Sequence, residues 1–580
     1  MDPVIIVGAG PVGLALSLAL ASQGVPSVVL DEGSGKEDPR PARTVVLRAD
    51  MAAMVERLGC ATLRDEGVRW VGWRSVRRRQ QMRHIELSLG LGDTESDGEG
   101  PAAPLHIPQH ALARGLRDAI AGQELIQLVT DARLDTIEQD ASGVTAHTRG
   151  SSGTGASGGT SGTSRTSRTS GSGGTWWRGS HLVGCDGARS TVRKLLSIRF
   201  PGRTAVERHA VAALRTELPW PGEALLHRQP PWRGGGEEVT ARPLPDGVWR
   251  IDWLLPPRGD LVTPDALVTK IRDTLAGWCG GVTPPYELID TGVHTLHHRL
   301  AKRWRVDRVF LAGDAAHLLG AVGTQGLDEG LRDADNLAWK LAYAWHHGAS
   351  DTLLDSYQSE RRAAVASRLR AADQSLPVLR GGGGLRTYLP GGSRSHDVLL
   401  TDGHLGRGPL GAPPAYPHSP LAPQDAGASR SVVGTGAGAP VEDVRVTAPD
   451  GTTVRLRDRL GQGRLLVVLV APGTGVWDRR HWVSAGVMPR LAEAVRALPV
   501  KAELLVTEAY PGAVAHTVLL VRPDGHLVAS FPGVRPDELY AAADATRGGK
   551  AEPTGSGGTE GARRAISRGA TPSDRTADIN

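Results

Sequence analysis

The chain carries only three cysteines in 580 residues, Cys60, Cys185 and Cys279, and no C-x-x-C pair. An odd number at wide spacing excludes a disulfide framework and a cysteine-ligated zinc site, so no metal centre is expected and a reducing, cytoplasmic compartment is. Aromatic residues are scarce, at 4% of the chain with three Phe and seven Tyr. The net charge of +5, with pI near 9.2, comes from arginines spread throughout. Without a dense basic block or an interleaved aromatic platform, no nucleic-acid partner is expected. Long apolar runs are also missing. Only residues 4–21 approach the roughly 18–20 apolar residues that a membrane span needs. There Asp2 stands where a signal peptide has its basic region, and glycines interrupt the run; neither a signal peptide nor a membrane partner is expected.

At about 150 residues per domain, this length makes three or four units, ample for a large core. Low-complexity stretches mark the joints: residues 150–175, nearly all Gly, Ser and Thr, then Gly381–Gly384, the Pro/Gly-rich 406–440, and the tail to residue 580. Such compositions bury little, so they are expected to be flexible or loosely packed. The first interrupts an expected β-hairpin, with Leu134, Ile137, Val144 and Ala146 before it and Trp176 and Trp177 after.

Three segments carry the chemistry. In the first, the apolar run Val4–Val7 leads into Gly8, Gly10 and Gly13 at G-x-G-x-x-G spacing, with Pro11 and Val12 between. Such a turn lets a pyrophosphate approach the backbone and seats it on a helix N-terminus. A second strand, Ser27–Leu30, ends in Asp31, where an acidic side chain meets a ribose hydroxyl; Glu32 follows it and reads as a solvated neighbour. The second segment runs from Leu182 through Cys185-Asp186-Gly187 to Ser190-Thr191-Val192-Arg193, a strand, turn and helix. The third is Val309–Ala312, then Gly313-Asp314-Ala315-Ala316-His317, followed by a long helix opening at Gly326-Leu327.

These three segments, in this order, together with Asp333–Ala342, Leu354–Tyr357 and Glu360-Arg361-Arg362, resemble the FAD-dependent aromatic hydroxylases, the single-component flavoprotein monooxygenases related to p-hydroxybenzoate and phenol hydroxylase. The resemblance implies an α/β fold: a Rossmann-like FAD-binding domain, an inserted β-sheet substrate domain and a C-terminal thioredoxin-like α/β domain. The layout it suggests is residues 1–197 and 301–380 for the FAD-binding domain, with 150–175 as a flexible insertion. Residues 198–300 are the substrate sheet, 381–435 a loop-rich linker, 436–543 the thioredoxin-like domain and 544–580 a disordered tail. The implied cofactor is FAD, held by Gly8, Gly10, Pro11, Val12, Gly13, Asp31, Glu32, Asp186, Asp314, Gly326 and Leu327. Asp314 is placed at the ribityl chain, and the helix start at Gly326 at the pyrimidine side of the ring. Arg43 and Gln109 fall where the family has an arginine and a glutamine beside the flavin. His317 reads mainly as a packing residue.

The implied activity is hydroxylation of an aromatic small-molecule substrate, phenolic or polyketide-type, with NAD(P)H as reductant, O₂ as oxidant and a flavin C4a-hydroperoxide as oxygen donor. A Baeyer-Villiger or epoxidising relative and a flavin-binding protein without turnover are the alternatives. No catalytic base is assigned. The family's proline before the long helix is replaced within Gly320–Thr324, and its asparagine by Asp328, whose negative charge would oppose an anionic reduced flavin unless paired, Arg332 being the nearest candidate along the helix. Along the strand-like Val248–Leu255, Arg250 and Asp252 share one face and Trp253 the other, with one buried and one solvated face expected. The C-terminal region contains no cysteine. Dithiol chemistry is therefore excluded there, and a structural or dimerising role, giving a homodimer, is expected.

Overall fold

Val4-Ile5-Ile6-Val7 is apolar without alternation, the pattern of a strand covered on both faces. In the computed structural model it is the heart of a mostly parallel sheet, with all four residues at most 5% exposed. The structure describes residues 1–36, 38–89, 102–150, 167–169, 174–232, 238–255, 263–320, 326–348, 350–379, 392–422, 433–472, 487–549 and 564–567. The sheet runs in the order Arg305–Val306, Val309–Leu311, His181–Gly184, Val4–Val7, Ser27–Leu30, Ile126–Val129. Every pairing is parallel except the short one at the Arg305 edge. The three sequence segments thus lie side by side with their turns at one end. The helix Pro11–Ala21 packs along the long helix Gly326–His347. Gly330 permits the close approach: a Cβ there would meet the Val12 side chain at 2.6 Å.

An eight-stranded sheet roofs this unit. It is built on Gly202–Thr216, Glu223–Arg228, Glu238–Pro243, Val248–Leu255 and Tyr286–Leu300. It is not confined to residues 198–300, because Gly72–Arg77 and Gln80–Glu86 from the first segment extend it, the former pairing in parallel with Glu223–Arg228. At Val248–Leu255 both faces are covered, whereas the outer strands Tyr286–Leu300 and Gln80–Glu86 are largely open. Trp253 packs against the helix Pro264–Trp278, and Arg250 and Asp252 on the other face are only 6% exposed, with Thr44 over them, so the expected division into one buried and one solvated face does not hold for this strand.

The expected hairpin forms with Ala132–Gln139, Val144–Gly150 and Gly174–Gly179; residues 151–166 and 170–173 of the insertion lie outside the described residues. The linker expectation is amended by a 13-residue helix, Gly392–His404, whose Leu400 packs with Trp73 against the roof sheet. The tail expectation is amended too: the last helix runs to Thr546, and Arg564–Ser567 pairs with Ala132–Gln139. No helix among the described residues is long and apolar enough to cross a membrane.

The C-terminal unit has a mixed sheet in which Leu465–Val470 lies parallel to Ala502–Thr507 and antiparallel to Val518–Val521, flanked by the helices Val487–Arg496 and Pro536–Thr546. Its Val521-Arg522-Pro523-Asp524-Gly525 turn is driven into the first unit. Arg522 holds Glu360 with two bonds of 2.7 and 2.9 Å and Asp524 with two of 2.9 and 2.6 Å. Lys340 Nζ donates to Glu360 and Asn336 at 2.8 Å each, and Asn336 Nδ2 donates to both Glu360 and Asp524. Burial pushes the Glu360 carboxyl up, but Arg522 and Lys340 more than reverse this and hold it well below the usual range.

Asp335 lies outside this compensation. It borders a cavity of about 320 Å³ between the helices and the C-terminal unit, with Arg57, Trp339 and Asp458 among its walls. Burial, reinforced by Asp524, raises its carboxyl from 3.8 to about 6. Between these values the folded protein holds a proton that the unfolded chain releases, so stability falls as pH rises through this window. Asp335→Asn is accordingly expected to match the wild type below pH 3.8 and to be the more stable protein above about pH 6. Unfolding midpoints measured at acid and neutral pH check this; equal midpoints at neutral pH would refute it.

Candidate functional site

The turn after Val7 is shaped by what each glycine excludes. Gly8 has φ of +107°, and a Cβ on it would lie 2.5 Å from the Cys185 carbonyl oxygen; one on Gly13 would lie 2.0 Å from the Gly8 carbonyl oxygen. These two glycines lock strand, turn and helix together. Gly10 differs: a Cβ there would meet nothing within 4 Å, so the turn opens onto free space. Gly10 is the N-cap and Pro11 the first helical residue, leaving the next N–H groups at the helix start without intrahelical partners. An anion is favoured at that position.

Asp31 ends the neighbouring strand. Its Oδ2 accepts from the Ala9 N–H at 2.6 Å and its Oδ1 from the Gly33 N–H at 2.8 Å, which ties the second strand to the glycine turn. Glu32 is exposed. Asp186 serves the second turn: Oδ2 accepts from the Thr191 and Val192 N–H groups at 2.5 and 3.0 Å, capping the helix Thr191–Leu195, while Oδ1 is buried without a partner. Burial raises the Asp186 carboxyl, and these bonds partly offset it.

Asp314 is the acidic side chain open to the cleft. It follows Gly313, whose φ of +61° turns the chain out of the strand, and one of its carboxylate oxygens lies 4.0 Å from where a Cβ on Gly326 would stand. Protein on most sides raises its carboxyl, opposed by His317 and Arg43. Arg43 is exposed on the same cleft, and its carbonyl accepts from the Gln109 N–H at 2.9 Å because Thr44–Leu47 pairs with Leu105–Pro108. Sequence positions 43, 109, 314 and 326 are therefore brought to one place. Leu327 is half-buried and packs on the main core.

His317 packs as expected, but the polar contacts that join it to Asp333 and Arg361 escaped the sequence reading. His317 is fully buried, stacked on Trp304 at 5.2 Å, and shares a 2.8 Å hydrogen bond with Asp333 through Nε2. Asp333 also accepts from the Gly313 N–H at 2.9 Å and from Arg361 Nε at 2.8 Å, so it fixes the turn that carries Asp314. Asp333 and Arg361 stand in the quoted motifs, but only as helix residues; the chain gives no local signal that they meet. Asp328 is paired, though with Arg48 and not Arg332. Its carboxylate accepts from the Arg48 guanidinium and, at 3.2 Å, from the Arg48 N–H, while Arg332 reaches Asp50 at 2.5 Å. Positions 321–325 of the altered loop lie outside the described residues.

The space beside Gly10, the helix start behind it, and an acidic side chain open to the cleft at Asp314 fit an FAD molecule: phosphates at the first turn, a polyol chain at Asp314. A family model described as FAD binding domain matches residues 1–372. The chain is 31% identical over 390 residues to a rifampicin monooxygenase of Rhodococcus hoagii, covering 64% of this chain and 70% of that protein. It is 29% identical over 379 residues to a 3-(3-hydroxy-phenyl)propionate/3-hydroxycinnamic acid hydroxylase of Paraburkholderia xenovorans, covering 64% of this chain and 54% of that one. Against the first curated relatives it matches, the chain thus spans about half their length. Among solved structures, the flavin-dependent monooxygenase PieE in complex with FAD and substrate superposes with a TM-score of 0.70 at 20% identity, over 94% of this chain and 98% of that one. The anhydrotetracycline hydroxylase OxyS of Streptomyces rimosus superposes with a TM-score of 0.62 at 24% identity, over 95% and 100%. With its glycine turn, its Asp314 cleft and the match over residues 1–372, the chain belongs to the FAD binding domain family, that of the FAD-dependent aromatic hydroxylases.

Proposed function

We propose that this protein is an FAD-dependent monooxygenase that takes electrons from NAD(P)H and places one atom of O₂ on an aromatic ring of phenolic or polyketide type. The observation that carries this reading is the meeting of the Gly8–Gly13 turn, Arg43, Gln109 and Asp314 on one cleft beneath a roof sheet. Hydroxylase and monooxygenase relatives support it. Bound FAD supplies electron uptake from NAD(P)H and the activation of O₂. The protein's own residues do the rest. The helix start at Pro11–Gly13 binds the phosphates, and Asp31 holds the ribose side of the turn in place. Asp314 accepts a hydrogen bond from a ribityl hydroxyl, with Asp333 and His317 fixing its backbone. Arg43 and Gln109 flank the ring, and the roof sheet excludes water from the reacting centre.

Purified protein is expected to be yellow, and NAD(P)H oxidation is expected to be stimulated by an aromatic ligand with a hydroxylated product. Asp314→Ala removes a charge-assisted hydrogen bond worth roughly 1.5–3 kcal/mol, so FAD should bind ten-fold or more weakly. Titration of the apoprotein with FAD measures this. Colourless protein that takes up no FAD would refute the reading.

A further inference from the structure

We propose that the cavity of about 320 Å³ between the FAD-domain helices and the C-terminal unit is a second ligand site, and that it takes a small organic cation, an ammonium group on an apolar body. None of the residues placed at FAD borders it. Three helices supply one side. Gln23 follows the end of Pro11–Ala21, Met54 and Arg57 close the helix Ala49–Arg57, and Asp335 and Trp339 lie one turn apart on Gly326–His347, hence on one face. The C-terminal unit supplies the other side with the turn Leu460-Gly461-Gln462. Gly461, at φ of +77°, donates its N–H to the Pro523 carbonyl at 2.9 Å and accepts from Ser22 Oγ at 3.3 Å. The space is therefore made by the docking of the two units.

The walls leave polar groups for a ligand. The Asp335 carboxyl makes no hydrogen bond or ion pair among the described residues, although it borders the cavity. Arg57, His526 and Arg332 act on it from a distance, but burial, reinforced by Asp524, outweighs them and leaves its carboxyl at about 6. Gln23 Oε1 and Trp339 Nε1 are buried without a partner, and Trp339 as a whole is 1% exposed. Two carboxyls, Asp335 and Asp458, share these walls with one guanidinium, Arg57, whose charge is felt by both. Asp458 already accepts from the Arg455 N–H at 3.3 Å. The cavity thus has an excess of acceptors and of negative charge, which disfavours an anion and suits an ammonium donating to Asp335 and Gln23 in charge-assisted bonds. Met54, Leu58 and Leu460 offer apolar surface to the rest of the molecule. The Trp339 N–H is left to point at an acceptor or a ring on it.

The probe is 2-(4-bromophenyl)ethylamine, with 2-(4-bromophenyl)ethanol as its uncharged counterpart. Crystals of the FAD-loaded protein soaked in the amine should show anomalous bromine density inside the cavity. Bromine found only in the flavin cleft, or nowhere, would overturn the proposal. In solution at about pH 8, where Asp335 is ionised, calorimetric titration should show the amine binding roughly ten-fold or more tightly than the alcohol. Asp335→Asn should remove that preference, with flavin content and binding of the alcohol kept, and Asp335→Glu should restore part of it. Leu58→Trp, which fills the cavity from another wall, should abolish amine binding and leave flavin content unchanged. Equal binding of amine and alcohol by the wild type, or amine binding untouched by Asp335→Asn, would also overturn the proposal. None of these measurements uses turnover, so they decide on the cavity whether or not the protein proves to be a monooxygenase.

Discussion

Arg522→Ala is expected to lower the free energy of unfolding by about 3–5 kcal/mol, the usual cost of leaving a buried charge without its partner. The loss is large because Arg522 serves two carboxylates at once. Without it, Glu360 keeps only Lys340 as a cation, and Asp524 faces Glu360 across Asn336 with two acidic groups now under-compensated. Glu360 lies in the helical stretch after the FAD-domain strands and Arg522 in the C-terminal sheet, so the damage spreads to both units. Denaturant unfolding followed by circular dichroism should show the first transition moved to lower denaturant concentration in the variant. A variant as stable as the wild type would mean that the Arg522 cluster is open to water in solution. Replacing Arg522, Glu360, Asp524 and Lys340 together by apolar residues of similar volume should cost far less than the single change, since no buried charge is left without its partner and buried ion clusters give little net stability over well-packed hydrophobic residues.

The second large effect is expected at the glycine turn, where two adjacent-looking substitutions should behave differently. In Gly13→Ala the new methyl would stand 2.0 Å from the Gly8 carbonyl oxygen, which is backbone and cannot swing aside. The helix must lift off the strand, at a cost of about 1–3 kcal/mol or more, and both stability and FAD content should fall. In Gly10→Ala the methyl meets no protein atom within 4 Å. The apoprotein should therefore unfold as the wild type does, while FAD binds at least ten-fold more weakly, because the methyl takes the room where a phosphate approaches. Calorimetry of the apoproteins together with FAD titration separates the two. Equal loss of stability in both variants would show that the space beside Gly10 is filled by protein.

These contrasts mark where the chain could be read and where it could not. Gly8, Gly10, Gly13, Asp31 and Asp186 sit in segments whose meaning is local: a strand, a tight turn and a helix within a dozen residues. Arg43 and Gln109 came from the family resemblance alone, and they meet because Thr44–Leu47 pairs with Leu105–Pro108. The choice of ionic partners was not legible. Along the helix Arg332 is the natural partner of Asp328, yet Arg48, 280 residues away in sequence, takes it. Glu360 and Arg522 are 162 residues apart. Alternation correctly put Arg250 and Asp252 on one face of a strand but said nothing of what lies over that face. The helix Gly392–His404 was hidden for a different reason: its flanking glycines, prolines and serines outweighed the short apolar run Val398-Leu399-Leu400 that anchors it.

The strand order of the central sheet has a consequence for synthesis on the ribosome. Val4–Val7 is made well before its neighbour His181–Gly184, which follows nearly two hundred residues later, and Val309–Leu311, which covers the outer side of that neighbour, comes later still. At roughly 5–20 residues per second, the nascent chain waits on the order of tens of seconds with an unpaired parallel edge of apolar residues. The roof strands Gly202–Thr216 to Tyr286–Leu300 are made within that interval and are antiparallel neighbours for the most part, so they are able to form first. The N-terminal nucleotide-binding half would then be completed from behind, by a strand that emerges after the domain above it, and slowing translation between residues 200 and 311 should lengthen its exposure to chaperones and proteases.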